Sequence, residues 1–110
     1  MKLSEKKCEP CEGGVPKLTI REINKLNSSL KTPWLIIDKM KISKQFKFKK
    51  YSDTISFVNK VALVAEEEGH HPVMLVSYGD VEVYLWTHSI LGLSENDFIL
   101  AAKIDEIKMP

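Results

Sequence analysis

Three histidines, His70, His71 and His88, stand in the second half of the chain. Imidazole titrates near neutral pH, so a cluster of such rings supports two chemistries. Three neutral nitrogens plus a water would make a catalytic zinc site. Without metal, the same rings can give or take a proton in general acid/base catalysis. Neighbouring side chains on an extended segment point to opposite sides, which suits His70 and His71 to separate roles better than to joint chelation. Two carboxylates have suggestive spacing. Glu66 precedes His70 by four residues and could orient a ring or favour its charged form. Asp97 closes a Ser94-Glu-Asn-Asp97 capping box, and capping is its plainest role.

The elements that must position these groups can be read in outline. Ser52–Glu68 is predicted to be the longest helix, with Ile55, Val58, Ala62 and Ala65 as its stripe and Phe57, Val61 and Val64 widening it. Gly69 is placed to end that helix in a left-handed conformation. Glu66, Glu67 and Glu68 crowd its last turn, the unfavourable end for anions, which hints at a role beyond helix formation. His70-His71-Pro72 then forms the link into a strand, and Pro72 stiffens it. Val73–Tyr78 and Val81–His88 flank Gly79-Asp80 and read as a hairpin. Pairing Tyr78 with Val81 puts His71 opposite His88, so the three imidazoles gather at one end of the hairpin.

Thr19 and Glu22 form a capping box for an earlier helix reaching about Leu30, which Thr32-Pro33 stops. Trp34–Ser43 and Gln45–Tyr51 alternate and are expected to pair through Ser43-Lys44. Ser94 opens a last helix with Leu100, Ala101, Ile104 and Ile107 on its apolar stripe. The order is α-β-β-α-β-β-α: an α+β domain with a four-stranded antiparallel sheet and three helices on one face. Residues 1–17 read as an N-terminal tail and 18–110 as the domain.

The 110 residues sum to a net charge of +1, yet the halves differ sharply. Residues 1–60 hold 14 Lys/Arg against 6 Asp/Glu, and residues 61–110 hold 2 against 9. Lys39, Lys41, Lys44, Lys47, Lys49 and Lys50, interleaved with Phe46, Phe48 and Tyr51, raise single-stranded nucleic-acid binding as a competing function. Alternation sends the phenylalanines to the face opposite the lysines, which favours an apolar core below and a solvated, aggregation-resistant face above. No nucleic acid is therefore expected as a partner. No secretory pattern and no span of roughly 20 apolar residues is present, so the expectation is a cytoplasmic protein with no membrane partner. Cys8 and Cys11 supply half a zinc site and no more.

Glu66-x3-His70-His71-Pro72-x5-Tyr78-x9-His88-x8-Asp97 resembles the signature of the pterin-4a-carbinolamine dehydratases. The run Ile42–Lys49, Val61–Ala65, and Gly92-Leu93-Ser94-Glu95 with Asp97 resemble the family as well, over roughly residues 18–108. The resemblance implies dehydration of 4a-hydroxytetrahydropterin to quinonoid dihydropterin with no cofactor and no metal, in tetrahydrobiopterin recycling. It implies His70 and His88 as acid/base residues, and His71 as a catalytic-site residue that mainly holds substrate. Gly69, Trp86, Thr87 and Ser89 would line the same pocket, with Glu66, Asp97 and Trp34 in support. Many relatives carry an acidic residue where Ser89 stands, which puts one substrate contact in question. Implied partners are the pterin substrate, further copies of the chain in a homodimer or homotetramer, and a functional link to an aromatic amino-acid hydroxylase. The alternative is a protein-interaction module, a dimerisation cofactor or transcriptional coactivator on the same fold.

Overall fold

A computed structural model describes residues 2–10 and 15–109. Helix α1, Ile20–Ser28, begins at the expected box: the Glu22 N–H donates to the Thr19 hydroxyl and the Thr19 N–H donates to the Glu22 carboxylate. Buried Asn27 then ties down the link to the sheet, accepting the Trp34 N–H at 2.9 Å and donating to the Trp34 carbonyl at 2.8 Å.

Four strands follow: β1 Leu35–Ile37, β2 Lys41–Lys47, β3 Val73–Ser77 and β4 Asp80–Leu85. They form one antiparallel sheet in the order β1-β2-β4-β3. Helix α2, Tyr51–Glu68, links the two hairpins, and α3, Glu95–Asp105, closes the chain. The α+β architecture agrees with the sequence. Its core lies between one sheet face and the helices, where Ile42, Val81, Val83 and Leu85 meet Phe57, Val61, Phe98 and Ile104. Fully burying each such side chain contributes about 1.5–3 kcal/mol.

Both hairpin turns sit elsewhere than expected. The first spans Asp38–Met40, with Asp38 and Lys39 at φ 51° and 58°, and pairs Ile36 with Ile42. Alternation could not locate it, because Lys39 takes a left-handed conformation that no turn residue announces. This register also moves Lys44 to the core face beside Ile42 and Phe46. There its Nζ meets Asp105 Oδ1 of α3 at 2.8 Å, so Lys44 is not part of a solvated lysine face. The second turn joins Ser77 to Asp80 and pairs Val76 with Val81, two residues from the expected register sum. Gly79 is required there by close approach: a Cβ would stand 2.5 Å from the Phe48 carbonyl oxygen, while the Phe48 N–H donates to the Gly79 carbonyl.

On α2, the core stripe is Thr54, Phe57, Val61 and Ala65, whereas Ala62 is exposed. Of the expected face, Phe57, Val61 and Ala65 are buried and Val58 and Val64 pack on the core, so periodicity gave the helix and most of its face; Thr54 is the addition. Gly69 caps it at φ 65°; a Cβ there would meet nothing within 4 Å, so glycine answers the backbone conformation rather than a lack of space.

Part of the N-terminal segment is held against the domain. A short 3-10 turn, Leu3–Glu5, lies against α3, and Cys8 is buried. Glu68 accepts the Cys8 N–H at 2.8 Å and meets Lys103 at 3.7 Å. Burial opposes the Glu68 charge, but the Cys8 N–H and the Lys103 and Lys7 ammoniums outweigh it and hold the carboxyl below its ordinary value. Its place at the adverse end of α2 thus has a structural reason. Burial, aided by Glu68, pushes the Cys8 thiol up to about 12, so it stays protonated and unreactive at neutral pH. Cys11 and the Gly13-Gly14 pair lie outside the described residues.

Candidate active site

The left-handed cap at Gly69 turns the chain off α2 and into the His70-His71-Pro72 link. The His70 N–H donates back to the Ala65 carbonyl at 3.2 Å, which seats the link on the helix end. Strand β4 stops at Leu85 instead of running to His88. Beyond it, Thr87 and Gly92 bridge, closing a loop that contains a 3-10 turn, His88–Ile90, and Leu91 at φ 49°. The imidazoles therefore converge through two loops, and not through cross-strand pairing of His71 with His88. Gly69, His70, His71, Pro72, Val73, His88 and Ser89 line one groove of about 440 Å³.

Each ring has a different environment. His70 is 4% exposed, and its Nε2 lies 2.6 Å from Asp97 Oδ1. The other oxygen of Asp97 accepts the Thr87 hydroxyl at 2.8 Å and the Ser94 N–H at 2.9 Å. Thr87 and Ser94 hydroxyls meet at 2.7 Å. One carboxylate thus does two things at once: it caps α3, as expected, and it holds a histidine. A buried carboxylate with this many partners is fixed in its orientation. Such an acceptor selects the ring orientation of His70 and stabilises an imidazolium when one forms.

His71 is exposed, with Nε2 2.7 Å from Glu66 Oε1. Glu66 therefore meets His71 and not the expected His70, because one helical turn plus the reversal at Gly69 brings residue 71 back over residue 66. His88 is also exposed and stacks on Trp86, ring centroids 4.3 Å apart and planes 17° from parallel. Lys41 Nζ lies 4.7 Å from the Trp86 ring centroid. Nothing local in the sequence points to Lys41; the β2–β4 register, with Ile42 opposite Leu85, brings it beside Trp86. Trp34 does not line the groove. It is 3% exposed in the core, donates to Asp105 Oδ2 at 3.1 Å and packs edge-on against Phe46. Among the described residues, no group of three or more His, Cys, Asp or Glu side chains could hold a metal ion. No helix among them is long and apolar enough to cross a membrane.

The family model described as Pterin 4 alpha carbinolamine dehydratase matches residues 16–107. A Rickettsia bellii protein named "Putative pterin-4-alpha-carbinolamine dehydratase" is 52% identical over 103 residues, covering 94% of this chain and 91% of that protein. A Nitrosomonas europaea protein of the same name is 52% identical over 103 residues, covering 94% and 90%. A crystal structure from Brucella melitensis, described as a transcriptional coactivator/pterin dehydratase, superposes with TM-score 0.76 at 36% identity, over 82% of this chain and 96% of that one. A pterin dehydratase-like protein described as a RuBisCO assembly factor in the alpha-carboxysome shares the fold at TM-score 0.52 and 21% identity, over 87% of this chain and 90% of that one. A small α+β sheet-and-helix domain with a histidine groove at one sheet end is the class that fold and site define. The chain belongs to the pterin-4a-carbinolamine dehydratase family and is a hydro-lyase.

Proposed function

We propose that the protein dehydrates 4a-hydroxytetrahydropterin, including 4a-hydroxytetrahydrobiopterin, to quinonoid dihydropterin and water by histidine acid/base catalysis. One observation carries the reading: three imidazoles line a single groove, and the buried one is held by a carboxylate. In the reaction an imidazolium protonates the departing 4a-hydroxyl and the C4a–O bond breaks. The N5 lone pair then forms the C=N bond, and the N5 proton passes to a neutral imidazole or to water. His70 and His88 take the acid and base parts, with Asp97 orienting His70 and Trp86 stacking on His88. His71 holds the substrate at the groove rim with Glu66 behind it. Gly69 and Ser89 shape the walls; Thr87, expected there, is fully buried and holds Asp97 from behind, and Trp86, also expected there, backs His88. The setting is tetrahydrobiopterin recycling in the cytoplasm beside an aromatic amino-acid hydroxylase.

A coupled hydroxylase assay that follows decay of the 4a-hydroxy intermediate tests this. Wild-type protein is expected to accelerate the decay, and His70→Ala and His88→Ala to abolish most of the acceleration while circular dichroism stays unchanged. An unaltered decay rate with wild-type protein would overturn the reading.

A second reading, protein association, is supported by the sheet face turned away from the helices, where Leu35 and Leu75 are exposed. The coactivator description of the Brucella melitensis protein points the same way for that protein. Sedimentation separates the homodimer and homotetramer that this reading expects from a monomer.

A further inference from the structure

The contact between His70 and Asp97 joins two elements remote in sequence: the link after α2 and the first turn of α3. Its length depends on how far the end of α2 stands from the start of α3. Residues 6–9 cross that junction and bind both sides of it. On the α2 side, the Cys8 N–H donates to Glu68 Oε1 at 2.8 Å, and Lys7 Nζ donates to the Glu67 carbonyl at 3.2 Å. On the α3 side, the Glu9 N–H donates to Asn96 Oδ1 at 2.9 Å and Asn96 Nδ2 donates to the Glu9 carbonyl at 2.7 Å. Lys6 Nζ meets Glu95 Oε2 at 2.9 Å. Residues 6–9 thus form a strap, and just before it Lys103 Nζ bonds the Ser4 carbonyl at 2.8 Å while lying 3.7 Å from Glu68 of α2.

Glu68 is two residues before His70, and Asn96 is the residue before Asp97. The strap therefore grips the chain immediately beside each partner of the buried pair. Asn96 is 1% exposed and Cys8 7% exposed, so the bonds to Glu68 and Asn96 are partly shielded from competing water, whereas the Lys7 contact is exposed. A hydrogen bond of this kind weakens steeply with small misplacement, and catalytic groups lose rate in the same way.

We propose that residues 6–9 are a positioning clamp for the active site, setting the His70–Asp97 geometry through Glu68 and Asn96 without touching the substrate. The clamp would explain why a segment preceding the family-matched residues 16–107 bonds to both α2 and α3. The proposal rests on His70 being an acid/base residue of the dehydratase reaction.

The test uses the full-length chain with Glu68→Ala, Asn96→Ala and, separately, Glu9→Pro. The last variant deletes one strap N–H and leaves α2 and α3 unaltered, so it keeps the test alive if the other two fail to fold. For each, kcat and KM are measured together with the imidazole nitrogen resonances of His70. The expected result is a fivefold to thirtyfold fall in kcat with KM within twofold of wild type. The His70 resonances are expected to move toward those of Asp97→Ala. Wild-type kcat and wild-type His70 resonances in folded variants would overturn the clamp, even if the melting temperature falls. A rise in KM with kcat unchanged would overturn it too. Failure of the catalytic reading looks different: His70→Ala would retain wild-type kcat, and the resonances would still report whether the strap holds the ring.

Discussion

His70 and His71 are chain neighbours, and each meets a carboxylate at nearly the same distance, 2.6 Å to Asp97 and 2.7 Å to Glu66. Their surroundings are opposite. The side chains of the first pair are 5% and 0% exposed, and those of the second 63% and 78%. Water and salt screen an exposed pair until it contributes about 0–1 kcal/mol. A buried pair keeps its full field, and removing one partner leaves a polar group without solvent or compensation. Equal distance therefore does not mean equal consequence. The buried pair can hold a catalytic ring in a fixed pose, while the exposed pair can shift to admit a substrate.

The largest expected effect tests that contrast directly. His70→Ala is expected to lower kcat by about a hundredfold to ten-thousandfold, the usual worth of a general acid or base. Asp97→Ala is expected to approach the same loss and to destabilise the fold by about 3–5 kcal/mol, since it breaks a buried pair. Chemical denaturation and steady-state kinetics read both. A stable, active Asp97→Ala protein would erase the distinction between the two pairs.

Next comes the third ring. Trp86→Ala removes the stacking partner of His88, and loss of such an aromatic contact, about 0.5–1.5 kcal/mol, is expected to lower kcat/KM by about threefold to tenfold. Glu66→Gln is expected to lower kcat/KM by about twofold to fivefold, mainly through KM, with unfolding free energy changed by under about 1 kcal/mol. Added salt should mimic Glu66→Gln in the wild type and leave the Asp97 effect in place.

The smallest effect is one of stability rather than rate. Glu68 has its folded-state pKa depressed, so the stability it contributes is present above the ordinary carboxyl value and is lost as pH falls through the folded value. Wild-type protein should therefore lose stability on acidification below about pH 4 more steeply than Glu68→Gln. Thermal melts across that range measure it. Cys8, pushed up to about 12, should resist alkylation at pH 8 in a folded Cys11→Ser variant and react once unfolded.

Much of this site was legible before any fold was known. The capping boxes at Thr19 and Ser94, the left-handed glycine after α2 and the span of α2 all follow from rules acting over three or four residues. So does the gathering of histidines near one sheet end, although the hairpin register used to derive it was two residues off. Asp97 is legible as a cap, and the family motif marks it only as a supporting residue; its contact with His70 is visible in neither. The partner of Glu66 was misassigned because counting four residues along a helix ignores the reversal at Gly69. Trp34 was placed near the pocket by resemblance, whereas its indole faces Asp105 in the core.

Element types and their order are written in the chain locally, because backbone periodicity and helix caps act over a few residues, and the motif around the histidines carries the family. Long-range packing alone sets the pairing of His70 with Asp97 across 27 residues, the contact of half-buried Lys44 with Asp105 and the docking of Cys8 on Glu68. Those contacts depend on how α2 and α3 pack over the sheet. That packing is a property of side-chain shapes meeting from distant parts of the chain, and no spacing within one segment encodes it.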